Sequence, residues 1–382
     1  MRVLVSGGGT AGHINPALAI ADAIKAAYPD AVVEYVGTPN GMENRLVPKA
    51  GYRMHTVAVR GFKRKLTIQN VDAAVKAVTS VVKAGKIIKD FAPDLVIGTG
   101  GYVSWPVVRA AAKKHIPTLI HEQNAFPGVT TKMLSRYADR VMISFDESRP
   151  YFDCDGEKLI LVGNPVSEKM LHADKTAARE KLGISPDKTV ILSAGGSLGA
   201  RRLNEAVFEV IRDYSVKRDE IVHFHATGKG GYGVQSALYR GIGFEDTDEE
   251  TVEKNGVTVS AYIYNMPDLL AAADVVICRA GAMTLSEIAV MGKAAVIVPS
   301  PNVTNDHQYK NAKVLADADA GLLLMEADLT GESLLCEVKK LADDAAYRAK
   351  VERNVKAFAH TDTLEKIMAC VREALGKGKA RT

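Results

Sequence analysis

Two stretches of this chain can be written one above the other without a gap: Val3-Leu-Val-Ser-Gly-Gly-Gly-Thr-Ala-Gly12 and Val190-Ile-Leu-Ser-Ala-Gly-Gly-Ser-Leu-Gly199. Each is an apolar run long enough for one buried strand, followed by a turn almost devoid of side chains. A second pair follows in the same order, Pro93-Asp-Leu-Val-Ile-Gly-Thr-Gly-Gly101 and Ala273-Asp-Val-Val-Ile-Cys-Arg-Ala-Gly281. Convergent glycine turns account for one such match far more readily than for two in sequence. The pattern therefore predicts two similar doubly wound α/β domains.

The first stretch runs on through His13-Ile-Asn-Pro-Ala-Leu-Ala-Ile20 into a helical pattern. Asn15 is the expected N-cap and Pro16 the expected first helical residue. A strand, a glycine turn and a helix N-terminus form an anion site, because N–H groups point outward and the helix dipole favours negative charge. His13 stands at the tip of that turn, an imidazole able to act as acid or base. The spacing Gly7-x-Gly9-x-x-Gly12 also fits the dinucleotide fingerprint, so an NAD-dependent oxidoreductase is one alternative; it leaves the second glycine loop unexplained.

Strand candidates in the first half are 3–5, 32–36, 95–97, 118–120, 140–143 and 160–162, alternating with helix candidates 16–27, 68–91, 105–114 and 130–137. Such alternation implies a parallel sheet with helices on both faces. The linker is expected near Gly163-Asn-Pro165, dividing the chain into domains 1–164 and 165–382. Phe244–Asn255 is acidic and poorly periodic and reads as a surface excursion. The last helix is expected over 365–375, followed by a short frayed basic tail. Ligands of such sheets bind at the carboxyl ends of the strands, which places the loops 6–15, 98–105, 121–128, 194–201, 279–287 and 300–308 around one cleft.

No apolar run approaches 18 residues, so no spanning helix is expected, and Val3–Val5 is too short for a signal peptide. The four cysteines are far apart and show no CxxC, which reads against a disulfide framework or metal cluster and suits a reducing cytoplasm. Residues 1–164 carry 21 Lys+Arg against 14 Asp+Glu, whereas 165–382 carry 28 against 31. The basic half suits an anionic lipid or a diphosphate. Arg60-Gly-Phe-Lys-Arg-Lys-Leu66 interleaves cations with apolar residues, as an anionic membrane surface requires; a solvated basic loop is the plainer reading. One Trp and few other aromatics offer little for base stacking, and nucleic acid is set aside. Ser–His–Asp, HExxH and Walker patterns are absent, and no carboxylate pair implies a catalytic metal or other cofactor.

Thr10 and Ser197 occupy equivalent positions, where a hydroxyl either meets a phosphate oxygen or closes a local turn. Thr284 and Glu287 have capping-box spacing, and Glu287 could equally accept hydrogen bonds from a diol such as ribose. His121-Glu-Gln-Asn124 and Asn302–Gln308 are polar loops beyond strand ends, either ligand-facing or simply solvated.

Taken together, Gly7–His13, Gly100-Gly-Tyr-Val-Ser104, His121–Asn124, Gly163–Pro165, Gly195–Arg201, Arg279–Glu287 and His307-Gln-Tyr-Lys-Asn311 resemble the signatures of the peptidoglycan N-acetylglucosaminyltransferases of glycosyltransferase family 28. These enzymes convert lipid I into lipid II. The resemblance extends from Met1 to the last helix and departs at Leu198, Ser167 and His307. It implies a GT-B fold, two Rossmann-like domains facing across a cleft, and a final helix packed back on the first domain. It also implies inverting transfer from UDP-GlcNAc to the C4 hydroxyl of the MurNAc unit of undecaprenyl-pyrophosphoryl-MurNAc-pentapeptide.

By the same resemblance Ser197 meets the diphosphate, Ile263 the uracil and Glu287 the ribose. Ala282, Met283 and Thr284 line the donor site, and Gln308 and Asn311 hold the sugar. Thr10, Ala11, Gly12 and Asn124 complete the donor site from the other domain, while Gly9, Gly100, Gly101 and Tyr102 meet the acceptor. His13 is the expected general base, with Glu122 the second candidate. The expected location is the cytoplasmic face of the cell membrane, peripherally bound, where cell-wall synthesis and division proteins are further partners. A UDP-GlcNAc epimerase of the same fold is the remaining alternative.

Overall fold

The computed structural model describes the backbone of residues 1–59, 68–196 and 198–379, and their side chains except for 68–78 and 377–379. The basic segment Arg60–Leu66 and Ser197 therefore lie outside the described residues. The chain forms two compact units, Met1–Pro165 with Asp362–Thr382, and Val166–Thr361.

Unit 1 holds seven strands: β1 (Arg2–Ser6), β2 (Val32–Gly37), β3 (Arg53–Thr56), β4 (Leu95–Gly98), β5 (Thr118–Glu122), β6 (Arg140–Ile143) and β7 (Leu159–Leu161). They lie in the order β3-β2-β1-β4-β5-β6-β7, and every pairing is parallel. β1 and β4 are central and buried on both faces, which is why they read as unbroken apolar runs. Val3, Val5, Ile14 and Ile20 form one core layer, and Leu4, Val96, Val107 and Ile120 form the other.

Unit 2 holds β8 (Thr189–Ala194), β9 (Ile221–Ala226), β10 (Glu245–Asp248), β11 (Thr251–Lys254), β12 (Val257–Ser260), β13 (Val275–Cys278), β14 (Ala294–Ile297) and β15 (Leu322–Leu323). Their order is β10-β11-β12-β9-β8-β13-β14-β15. β8 sits between β9 and β13 as β1 sits between β2 and β4. The two glycine turns thus follow equivalent strands of equivalent sheets.

Three expectations are corrected, and two further elements had none. The first helix begins at Ala11, with Thr10 at the N-cap and Pro16 inside it, so Gly12 and His13 belong to its first turn rather than to the glycine loop. Pro16 supplies no N–H for the Gly12 carbonyl, and the helix runs on because its apolar face is fully buried. The acidic stretch Phe244–Asn255 is no loose excursion: β10 and β11 form an antiparallel hairpin that extends the sheet, with only Val252 of its strands turned into the core. β3 and the short helix Glu43–Lys49 had no strong local pattern. The closing helix spans Thr363–Lys379, longer than its apolar pattern, and packs against the first helix, β4 and β5 within unit 1.

Among the described residues no helix is long and apolar enough to cross a membrane.

Candidate active site

In unit 1 three loops converge because β1, β4 and β5 are neighbours. The turn after β1 crosses the turn after β4 at van der Waals distance. A Cβ on Gly101 would lie 2.2 Å from the Gly8 carbonyl oxygen, and one on Gly7 would lie 2.2 Å from Thr99 Oγ1. Gly101 also has φ +76°, a conformation that L side chains rarely adopt.

Gly9, Thr10, Gly12 and Tyr102 are exposed on this rim, Ala11, His13, Gly101 and Asn124 are half-buried, and Gly100 is buried. Thr10 makes no side-chain cap; its carbonyl accepts from the N–H groups of His13 and Ile14. His13 Nδ1 is 2.9 Å from Gln123 Oε1, and a Cβ on Gly100 would touch the imidazole at 2.7 Å.

Glu122 faces the other way. Its Oε1 accepts from the Asn124 N–H and Asn124 Nδ2, and its Oε2 accepts from the Gly128 N–H, each at 3.0 Å. The carboxylate is 1 % exposed and holds the 122–128 loop in shape.

Glu43 is a site residue that sequence reasoning missed. It is fully buried, accepts from Thr38 N–H and Oγ1 at 2.8 and 2.7 Å, and accepts from the Gly9 N–H at 3.3 Å. Burial works against its charge, but these hydrogen bonds outweigh it and hold the carboxyl below its usual range. Tyr35 Oη donates to the Gly7 carbonyl at 2.8 Å. The first glycine turn is therefore pinned from beneath by a carboxylate and a phenol, both more than 25 residues away in sequence.

In unit 2 the described part of the equivalent turn packs on the backbone of Thr227 and Gly228, and Asn204 Nδ2 donates to the Thr227 carbonyl at 2.8 Å. A Cβ on Gly199 would lie 2.1 Å from the Thr227 carbonyl oxygen, and Gly228 packs on Gly199 from the other side. Beyond β13, Ala282, Met283 and Thr284 open the helix Ala282–Met291 with Gly281 at the N-cap. Thr284 lies three residues past the N-cap, so the capping-box reading fails. Glu287 points elsewhere: no described residue hydrogen-bonds or ion-pairs with it, and burial pushes its carboxyl up to about 7. Asn311, fully buried, donates from Nδ2 to the Ala280 carbonyl at 3.2 Å, and Gln308 Oε1 accepts from the Ser300 N–H at 2.8 Å. The loop between them passes through left-handed Asn305 and Asp306. Arg279 pairs with Glu326 at 2.5 Å and donates to the Val298 carbonyl. Ile263 is buried beyond β12 between exposed Tyr262 and Tyr264.

Unit 2 thus assembles Ala282–Glu287, Gln308 and Asn311 around the ends of β13 and β14, with Ile263 further along the sheet. Unit 1 assembles Gly9–His13, Gly100–Tyr102 and Glu122–Asn124. Among the described residues no group of three or more His, Cys, Asp or Glu could hold a metal ion, and all four cysteines are unbridged.

Two family models match the chain. The glycosyltransferase family 28 N-terminal domain covers residues 3–143 and the family 28 C-terminal domain covers 190–367. The UDP-N-acetylglucosamine–N-acetylmuramyl-(pentapeptide) pyrophosphoryl-undecaprenol N-acetylglucosamine transferase of Acetivibrio thermocellus is 42% identical over 381 residues, covering 100% of both chains. The crystal structure of Acinetobacter baumannii MurG superposes with a TM-score of 0.76 at 29% identity, covering 97% of this chain and 99% of that one. The UDP-GlcNAc 2-epimerase from Neisseria meningitidis, bound to UDP-GlcNAc, has a TM-score of 0.64 at 13% identity, covering 98% and 100%. That last likeness is one of fold.

Proposed function

The chain belongs to glycosyltransferase family 28, and from that premise we propose that it transfers GlcNAc from UDP-GlcNAc to the C4 hydroxyl of MurNAc in lipid I, with inversion, forming lipid II for peptidoglycan. The observation that carries this is the end-to-end correspondence, at 42% identity, with a transferase of that substrate pair. It is a hexosyltransferase of two α/β domains, and the epimerase and oxidoreductase readings give way to it.

In the reaction the C4 oxygen bonds to the anomeric carbon while the bond from that carbon to the UDP β-phosphate oxygen breaks. The electron pair leaves with UDP, and the hydroxyl proton needs an acceptor. Unit 2 takes the donor. Backbone N–H groups of the 195–200 turn and the N-terminus of the helix Arg201–Asp213 suit the diphosphate, with Ser197 as the hydroxyl contact. Glu287 takes the ribose, because an unpartnered carboxylate gains two hydrogen bonds from a diol. Ile263 faces the uracil, Ala282–Thr284 line the site, and Gln308 and Asn311 hold the sugar.

Unit 1 takes the acceptor through Gly9, Gly100, Gly101 and Tyr102, with Thr10–Gly12 and Asn124 as further substrate contacts. His13 is the general base: it is half-buried on the rim, and among the described residues only its Nδ1 has a hydrogen-bond partner. Glu122 shapes the loop beside it.

A lipid-linked acceptor requires contact with a membrane. Unit 1 presents a groove of about 340 Å³ lined by Trp105, Val129, Met133, Tyr137 and Tyr151, with Lys132 at its edge and Arg136 ion-paired to Asp153. Exposed apolar and cationic groups in one place suit an anionic bilayer surface, and with the basic segment 60–66 support peripheral binding at the cytoplasmic face.

Release of UDP, measured with and without a lipid I analogue, tests the function. Release that depends on the analogue is expected. Consumption of UDP-GlcNAc at the same rate without it would replace the transferase with an epimerase.

A further inference from the structure

Gln123 is 2 % exposed, and its amide can be oriented from its surroundings alone. One end faces the Thr99 carbonyl at 3.0 Å and the His121 carbonyl at 3.2 Å. Both can only accept, so this end is the NH2 group. The opposite end, Oε1, faces His13 Nδ1 at 2.9 Å. An amide oxygen only accepts, so Nδ1 must carry a proton.

The next link agrees. Gln123 Nε2 also lies 2.9 Å from His121 Nδ1, while His121 Nε2 faces the Gly163 carbonyl at 3.0 Å. His121 therefore donates from Nε2 to Gly163 and accepts at Nδ1. It is fully buried, and burial holds it neutral. Reversing any one of these groups would set two acceptors or two donors against each other. Thr99 Oγ1 also donates to the His13 carbonyl at 2.7 Å, fixing the backbone that carries the ring.

We infer that Gln123, set by His121 and the carbonyls of Thr99 and Gly163, is a positioning residue that locks His13 as the Nδ1–H tautomer and so directs the lone pair of Nε2 to the acceptor hydroxyl. Free imidazole side chains prefer the opposite tautomer, with Nε2 protonated and unable to accept. The chain of hydrogen bonds thus converts the rim histidine from a donor into a base. When Nε2 takes the hydroxyl proton, the Nδ1–H stays on Gln123 and no proton passes inward, because the amide cannot relay one. This inference rests on the reading of His13 as base, but the tautomer stands independently of it.

The test is nitrogen-15 NMR of the full-length protein labelled at histidine, recorded where the imidazoles are neutral. His13 is assigned by its loss in His13→Ala. The expected spectrum shows His13 with protonated Nδ1 and unprotonated Nε2, and His121 with the reverse. In Gln123→Met, close in shape but without donor or acceptor, the Nε2–H form of His13 becomes the major one. Its kcat falls roughly 10–100-fold, while KM for UDP-GlcNAc moves less than about threefold. A wild-type His13 protonated at Nε2 overturns the inference whether or not the variant folds, as does an unchanged tautomer in Gln123→Met. A His13→Ala enzyme of normal kcat beside a confirmed tautomer would instead remove the base assignment.

Discussion

The turn after β1 and the turn after β8 occupy the same place in the same strand order, yet opposite chemistry lies beneath them. Ser6 and Ser193 are equivalent residues of the two strands. Ser6 Oγ donates to the Val36 carbonyl, an ordinary link to the next strand. Ser193 Oγ lies 2.8 Å from both His223 Nε2 and His225 Nδ1. Those imidazoles are 0 and 1 % exposed, and burial pushes His225 down to about 4 and holds His223 well below the usual imidazole range. In unit 2 His223 and His225 are therefore neutral packing, and the carboxylate left over is Glu287, the proposed ribose contact. Unit 1 does the reverse: its carboxylates Glu43 and Glu122 are consumed in holding loops, and an imidazole stands at the rim. The shared backbone suits both turns to anions, and under the proposed assignment the side chains divide proton transfer from recognition.

The sharpest way to break this division is to remove the rim imidazole. His13→Ala should lower kcat by about 10²–10⁴-fold with acceptor saturating, leaving UDP binding, measured by calorimetry, within about twofold. A near-normal kcat would mean that His13 is not the base.

Next in size are the turns themselves. Gly101→Ala and Gly199→Ala each force a Cβ into a carbonyl oxygen at 2.2 and 2.1 Å at positive φ, and each should cost about 2–4 kcal/mol in denaturant unfolding. Gly9→Ala also has positive φ but open space around it, and should cost only about 1 kcal/mol. Equal losses at all three would show that conformation, not the crossing of loops, sets the constraint.

Glu287 offers a smaller effect with a defined sign. Its folded pKa is raised to about 7, so the folded protein holds a proton that the unfolded chain gives up near the ordinary carboxyl value. Folding stability should therefore decline as pH rises between those values. Glu287→Gln should become the more stable protein by about 1–3 kcal/mol at and above neutral pH. UDP affinity should rise with pH through about 7 in the native protein and be flat and weaker in the variant. A pH-independent affinity in the native protein would place the ribose elsewhere.

The smallest expected change is from chelation. With the leaving diphosphate met by the second glycine turn, EDTA should alter the initial rate by less than about twofold. Complete loss restored by Mg²⁺ would transfer that task from backbone amides to a metal.

Much of this frame is legible in residue order, because strand, turn and helix lie within twenty consecutive residues and recur. Val3–Gly12 and Val190–Gly199 announce two equivalent sheets before any contact is known. What supports them is not local. Glu43 sits in a short helix containing Pro48, a sequence with little pattern of its own, and meets Gly9 only because β2 lies beside β1. The sense of the Gln123 amide depends on carbonyls from two other strand ends. Glu287 has the spacing of a cap residue, and only the helix starting at Ala282 shows that its carboxyl is left over. Asn15 and Pro16 carry the local marks of a helix start, yet the buried face continues through them and the helix begins at Ala11.

The closing helix has a consequence for synthesis. Ile367, Met368, Val371 and Ala374 belong to the same core layer as Val3, Val5, Ile14 and Leu119, yet the whole of unit 2 is translated between them. While the ribosome makes nearly two hundred intervening residues, from Val166 to Thr361, the first sheet waits with one apolar layer uncovered. Truncation ahead of Ile367 would therefore injure the beginning of the protein rather than its end.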